Sequence, residues 1–209
     1  MIIQPDRLQN LLGSGNHKPA YLVFGDEPLQ IMESLDTIRQ ALRDAGATER
    51  ITMDVERGFD WDDLSATLSG MSLFAEQRII ELKLGDRKPD KKGAEKIDGF
   101  LSSPNSEDVL VLSANKLDRN QQKAKWFKAL EKYGTVVQAR QLSGRALESW
   151  IVSRAKAKNI YIEREVADLI ATRAEGNMLA AAQELEKLSL ANGDQKIDSE
   201  TAMKAIADS

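Results

Sequence analysis

The strongest constraint on the fold is a short apolar strand that runs into a glycine and is followed at once by a helix. The strand candidate covers residues 21–24 and ends at Gly25. Apolar residues then recur at helical spacing, at positions 31, 35, 38 and 42. Pro28 suits the first turn of this helix, where a missing amide hydrogen costs nothing. We expect Asp26 to cap the helix.

The strand–turn–helix unit is repeated along the chain. Four more strand candidates follow the first, at residues 51–55, 78–84, 109–113 and 135–138. Each is separated from the next by a segment long enough for a helix. Strands that alternate with helices predict a parallel sheet. The sequence therefore predicts an α/β domain over residues 1–140, built on a five-stranded, parallel, doubly wound sheet.

The strand pattern stops after residue 138 and gives way to helical patterns. Apolar residues share one helical face in three successive stretches, 147–155, 166–170 and 179–188. Gly176 and Asn177 separate the second stretch from the third, and Asp198 or Ser199 can cap a last short helix. We expect a small all-α domain over residues 141–209.

Residue counts exclude several classes of site. The 209 residues include no cysteine and one histidine, which excludes disulfides, thiolate ligands, cysteine nucleophiles and histidine-rich metal sites. The histidine, His17, lies in a polar stretch and receives no role. No stretch approaches the roughly 20 apolar residues that span a bilayer, so we expect a soluble, cytoplasmic protein without a membrane partner. The net charge of −4 argues against tight binding of free nucleic acid.

Four short segments, taken together, resemble one family. They are Gly25-Asp26-Glu27-Pro28-Leu29, Met71-Ser72-Leu73-Phe74-Ala75, Asn115-Lys116-Leu117 and Glu175-Gly176-Asn177-Met178-Leu179. Their order and spacing are similar to those in delta subunits of bacterial DNA polymerase III, which belong to the clamp-loader AAA+ family. The resemblance implies an AAA+-like domain, a helical lid and a role in opening a sliding clamp. It also implies a third, collar-forming domain that this sequence lacks, so we expect a truncated chain.

The resemblance places the turn after Gly25 where ATP-hydrolysing relatives carry a P-loop. A P-loop needs glycine-rich amides, a lysine and a magnesium-binding hydroxyl, whereas this turn has Asp26, Glu27 and Pro28. Leu179 stands where the lids of related ATPases have a phosphate-binding arginine, and strand 109–113 ends without paired acids. We therefore expect no catalytic residue, no metal and no cofactor. Magnesium binding by Asp26 is the alternative to its capping role.

The segment Met71-Ser72-Leu73-Phe74 is the predicted partner site. The resemblance implies that Leu73 and Phe74 insert into a hydrophobic pocket on the beta sliding clamp, that Met71 adds contact and that Ser72 shapes the chain. From the residues alone, a Leu-Phe pair before a strand is typical of a folded core, so both interpretations stay open. Ser69 stands where clamp-binding peptides often have glutamine.

Two basic groups are candidates for contact with primer–template DNA. One contains Arg87, Lys88, Lys91, Lys92 and Lys96, and the other contains Lys125, Lys128 and Lys132. The alternative for both is a solvated surface. The resemblance further implies delta-prime and gamma/tau subunits as partners, with DNA contacted only in the assembled loader. An enzyme with a degenerate P-loop and an unrelated α/β interaction module are the other hypotheses.

Overall fold

The computed structural model describes residues 2–15, 17–70, 77–104, 108–192 and 197–207. These residues form two compact units, Met1–Arg140 and Gln141–Ser209. None of the helices in the described ranges is long and apolar enough to cross a bilayer.

The first unit is built on one parallel sheet. Its strands are β1 (Ile2–Ile3), β2 (Ala20–Gly25), β3 (Glu49–Asp54), β4 (Arg78–Gly85), β5 (Asp108–Ala114) and β6 (Thr135–Ala139). They lie in the order β1-β6-β2-β5-β4-β3, and every neighbouring pair is parallel. The predicted α/β class with a parallel sheet is confirmed.

The sheet has a sixth strand that the sequence pattern did not predict. Ile2 pairs with Val136 and Ile3 with Val137, which adds β1 to the outer edge of β6. A strand of two residues is too short to show an apolar period, so only the pairing in the folded sheet defines it. The five predicted strands each lie within two residues of the observed bounds.

Helices cover both faces of this sheet. They are α1 (Leu8–Leu12), α2 (Pro28–Asp44), α3 (Trp61–Ser69), α4 (Lys91–Ser102) and α5 (Lys125–Tyr133). Alternate residues of β2 enter two separate cores, as the period of a strand requires. Leu22 and Phe24 pack with apolar residues of α3, α4 and α5, while Tyr21 and Val23 pack with those of α1 and α2.

The second unit is helical. Its helices are α6 (Arg145–Ala157), α7 (Arg164–Arg173), α8 (Met178–Asn192) and α9 (Ser199–Ala207). One apolar side chain from each helix illustrates the core, because Ile151, Ile170, Leu185 and Ile206 are all at most 1% exposed. Asp198 caps α9 by accepting a hydrogen bond from the backbone N–H of Thr201 at 2.8 Å.

Two glycines of α4 offer a matched test of this packing. A Cβ atom on Gly93 would lie 2.4 Å from the Trp61 indole, whereas a Cβ atom on Gly99 meets nothing within 4 Å. Gly93→Ala should lower the free energy of unfolding by about 1–3 kcal/mol, because it overpacks the contact with α3. Gly99→Ala should raise it by about 0.5–1 kcal/mol, because alanine is the better helix former. Urea denaturation of both variants measures the difference, and equal effects would contradict the packing described.

Candidate functional site

The candidate site lies where the parallel strands end. The turns after β2, β4 and β5 carry Asp26, Asp86 and the pair Asn115-Lys116. In open parallel sheets, ligands bind outside the carboxyl ends of the strands. A cavity of about 560 Å³ opens at this edge, and Met32 and Leu35 of α2 contribute to its apolar wall.

The turn between β2 and α2 is closed by Glu27. Helix α2 begins at Pro28, and the Oε1 atom of Glu27 accepts a hydrogen bond from the backbone N–H of Leu29 at 3.2 Å. The prediction that Asp26 caps this helix is wrong. Because proline fixes the first helical residue, the capping position falls to the residue immediately before it, and Asp26 lies one position too early.

The buried position of Glu27 affects its ionisation. The residue is only 6% exposed. Burial raises the pKa of the Glu27 carboxyl above its ordinary value; the Leu29 N–H opposes this rise, and the charge of Asp26 adds to it. The N-cap of α2 is therefore a carboxyl group whose charged form is disfavoured by burial.

Asp26 makes a different contact, across the edge of the sheet. Its Oδ2 atom lies 2.8 Å from the Nζ atom of Lys116, which follows β5. The Lys116 side chain is 77% exposed and that of Asp26 is 37% exposed, so the pair adds little to stability. The pair matters instead for ligand binding, because the Asp26 carboxylate already balances the positive charge of Lys116.

Backbone N–H groups of this turn donate hydrogen bonds to oxygens of the protein. The N–H of Asp26 donates to the carbonyl of Ala139 at 3.2 Å, and that of Ile31 donates to the carbonyl of Glu27 at 3.1 Å. The Leu29 N–H is taken by the Glu27 side chain, and proline has no N–H to offer. A P-loop holds phosphate with free backbone amides, so the described contacts leave the turn poorly suited to phosphate.

Gly25 is needed for this arrangement. A Cβ atom at position 25 would lie 1.7 Å from the carbonyl oxygen of Ala139. Only a glycine therefore lets β2 approach the end of β6 closely enough for the Asp26 N–H to bond there. Gly25 therefore serves a backbone contact between β2 and β6.

A second polar pair lies beside the first, and the sequence did not reveal it. The side-chain amide of Asn115 donates to Asp86 at 2.8 Å, which joins the ends of β5 and β4. The sequence signal for this position is an acid, Asp86, directly after the glycine that ends β4.

Within the described ranges, no three His, Cys, Asp or Glu residues are placed to hold a metal ion.

The position that was predicted to lack a phosphate-binding arginine lies at the start of α8. Leu179 lies in the first turn and is 45% exposed. Its backbone N–H donates to the side chain of Asn177 at 3.0 Å, and the next amide donates to the same oxygen at 3.1 Å. Asn177 thus caps α8, and the apolar Leu179 side chain offers no phosphate contact.

The predicted clamp-binding residues Met71, Ser72, Leu73 and Phe74 lie outside the described residues. The residues on either side of segment 71–76 are described. Helix α3 ends at Ser69, where the N–H of Gly70 donates to the carbonyl of Ala66 at 2.8 Å. On the other side the carbonyl of Gln77 accepts a hydrogen bond from the N–H of Thr48 at 3.2 Å.

A buried ion pair lies at the start of β4. The Nε and Nη2 atoms of Arg78 donate to the two carboxylate oxygens of Asp108 on β5, at 2.6 and 2.8 Å. The exposed fractions of the two side chains are 6% and 0%. Removing one partner from such a buried pair typically costs about 3–5 kcal/mol. The pair therefore fixes the start of β4 against β5.

The two predicted basic groups are partly engaged in contacts of their own. Lys92 bonds Asp60 at 3.0 Å and Asp62 at 2.7 Å. On α5, the Lys128 ammonium lies 2.5 Å from Glu131, and Lys132 donates to the hydroxyl of Tyr133 at 2.8 Å. Lys125 starts the same helix. Carboxylates therefore balance the charges of Lys92 and Lys128, which weakens the field that these two lysines offer to DNA.

The chain matches the family model described as DNA polymerase III, delta subunit, over residues 21–140. It is 30% identical to the DNA polymerase III subunit delta of Escherichia coli over 206 residues, which cover 99% of this chain and 60% of that protein. It is 27% identical to the subunit of the same name from Bacillus subtilis, over 88% of this chain and 55% of that protein. The chain thus spans little more than half the length of these relatives.

Solved structures show the same fold. The Bacillus subtilis DNA clamp loader delta protein superposes with a TM-score of 0.74 at 23% identity, covering 97% of this chain and 62% of that one. The Thermotoga maritima RuvB Holliday junction branch migration motor gives a TM-score of 0.51 at 14% identity, covering 96% of this chain and 65% of that one.

The raised pKa of Glu27 generates a pH-dependent prediction. A carboxyl whose pKa is raised on folding adds stability at acid pH, and that contribution is lost as the pH rises through the folded-state pKa. Glu27→Gln keeps an oxygen for the Leu29 N–H but carries no charge. The variant should therefore melt at a higher temperature than the parent at pH 7, and this advantage should disappear below pH ~4.

Glu163→Gln is the control for this experiment. Glu163 also precedes a helix, α7, but it is exposed and makes no capping hydrogen bond there. Its replacement should shift the melting temperature equally at both pH values. If the advantage of Glu27→Gln persisted at acid pH, burial of the charge would not be its cause.

Proposed function

Because the chain belongs to the family of DNA polymerase III delta subunits, we propose that it acts in a clamp loader, where it binds a sliding clamp and helps to open it for loading onto primed DNA. ATP-driven rearrangement of other loader subunits exposes its clamp-binding residues. The chain itself contributes no catalytic residue. Family membership is the observation that carries this proposal.

Contact with the beta sliding clamp is assigned to Leu73 and Phe74. Two large apolar side chains suit a hydrophobic pocket, because burial of each contributes about 1.5–3 kcal/mol before the costs of association. Met71 adds apolar contact, and Ser72 shapes the chain between Met71 and Leu73. Interfaces of this kind depend on a few anchors of high energy, and the assignment places both anchors in adjacent positions.

The chain does not hydrolyse ATP in this proposal. The support comes from the β2–α2 turn, where Pro28 supplies no amide, Glu27 occupies the cap of α2 and Asp26 lies beside Lys116. Phosphate oxygens brought to this turn would meet two carboxylates and few unused donors. The energy for opening the clamp then comes from the delta-prime and gamma/tau partners.

Primer–template DNA is contacted only within the assembled loader. Of the three lysines assigned to this contact on α5, Lys128 pairs with Glu131 and Lys132 bonds Tyr133. Lys125 precedes both of them at the start of the helix. We place the main phosphate contact on Lys125, with the other two lysines contributing when the loader brings DNA close enough to compete with their present partners.

The first test concerns nucleotide. Titration calorimetry of the chain with ATP and magnesium should show no saturable binding up to about 1 mM, because the turn lacks the lysine and free amides of a P-loop. Lys116→Ala is the informative comparison, since Lys116 is the cation beside the turn. Micromolar binding that this substitution abolishes would support the enzyme hypothesis instead.

The second test concerns the clamp. Leu73→Ala combined with Phe74→Ala should weaken binding to the cognate sliding clamp roughly a thousandfold, because interface anchors lose ~2 kcal/mol or more each. The melting temperature should stay unchanged. Surface plasmon resonance and thermal unfolding on the same protein provide both measurements.

Leu190→Ala is the matched control for truncating an exposed apolar side chain. Leu190 is 76% exposed on α8, so its truncation should leave both clamp affinity and melting temperature unchanged. If the Leu73–Phe74 variant instead loses its fold, the pair belongs to the core, since two truncated core residues cost ~2–5 kcal/mol each. A folded double variant with unchanged affinity refutes the assignment.

A further inference from the structure

One arginine joins the two points at which the chain enters and leaves segment 71–76. Besides its bonds to Asp108, the Nη2 atom of Arg78 donates to the carbonyl of Thr67 at 3.1 Å. Thr67 lies in the last turn of α3, just before the chain enters the segment, and Arg78 is the second residue after it. The same guanidinium therefore contacts the end of α3 and the start of β5.

This contact is physically favourable for three reasons. The last four carbonyls of a helix have no partner within it, and Arg78 supplies one of the missing donors. A positive charge near a helix C-terminus also interacts well with the helix dipole. Finally, the planar guanidinium holds Asp108 through two parallel bonds, and Arg78 is only 5% exposed, so its position is fixed.

We infer that Arg78 is a positioning residue for clamp binding. The inference rests on the proposed function, in which Leu73 and Phe74 bind the clamp. Residues held between fixed ends lose less conformational freedom on binding than residues in a freely moving chain. Arg78 ties the end of α3 to the start of β4, and so limits the separation of Gly70 and Gln77. Releasing this tie should weaken clamp binding roughly tenfold without any change to the contact residues.

The test removes the tie while sparing the fold. Arg78→Met combined with Asp108→Leu replaces both charges with apolar groups of similar size, a change that buried ion pairs often tolerate. Arg39→Met combined with Glu81→Leu is the matched control. That pair is also bidentate, at 2.6 and 2.9 Å, and also involves β4, but it joins α2 rather than α3.

Three quantities are measured on each variant at a temperature where it is folded. They are the clamp dissociation constant, the melting temperature and the hydrogen-exchange rate of the Gly70 amide, which donates to Ala66 at 2.8 Å. The Arg78 variant should bind the clamp roughly tenfold more weakly, and its Gly70 amide should exchange faster. The Arg39 variant should leave both values at the wild-type level. Equal losses in the two variants, or none in the first, overturn the inference.

A single substitution serves if the double variant fails to fold. Arg78→Lys keeps the buried charge next to Asp108, but one ammonium cannot reproduce the forked bonds to Asp108 and also reach Thr67. Weaker clamp binding and faster Gly70 exchange in this variant support the inference. Wild-type values for both overturn it.

The Leu73–Phe74 double variant separates this inference from the function on which it rests. If that variant still binds the clamp, the proposed clamp-binding site is wrong, and the inference fails with it. If it loses binding while the Arg78 variants bind normally, only the positioning role is wrong. The Gly70 exchange rate needs no clamp, so it reports on the tie to α3 in either case.

Discussion

The all-parallel sheet is the constraint on which the rest of the structure depends. Two parallel strands that are neighbours need a crossover connection, and such connections place helices on both faces of the sheet. Strand β2 shows the result, because its residues from Ala20 to Phe24 are completely buried. The same constraint brings the turns that follow β2, β4 and β5 to one edge. Asp26, Lys116 and Asp86 meet there although they are far apart in the sequence.

Much of this architecture could be predicted from the sequence, because buried strands and amphipathic helices have strong local patterns. The polar contacts could not be predicted in the same way. Asp26 and Lys116 are 90 residues apart, and Arg78 and Asp108 are 30 apart. Pairing them requires the strand order, which no local pattern contains. The misassigned cap has a different origin, because a proline at the first helical position gives the cap to the residue just before it, which is Glu27 and not Asp26.

The candidate site lies at the edge of the sheet where open parallel sheets usually bind ligands. The described polar groups there bond to one another instead. Glu27 bonds Leu29, Asp26 lies beside Lys116, and Asn115 bonds Asp86. These contacts agree with the proposal that this chain does not hydrolyse ATP itself. In the proposed function, clamp binding depends on Leu73 and Phe74 and on Arg78, rather than on this edge.

The two ion pairs of β4 have a consequence for how the sheet is assembled. One face of strand β4 carries the buried residues Ile80, Leu82 and Leu84, and these apolar side chains alone would tolerate a shift of two positions against β5. Arg78 and Glu81 lie on opposite faces and bond Asp108 and Arg39 respectively. A shift against β5 would separate Arg78 from Asp108 and leave both buried charges unpaired, at a cost of several kcal/mol. The ion pairs thus select one strand alignment among those that apolar packing would permit.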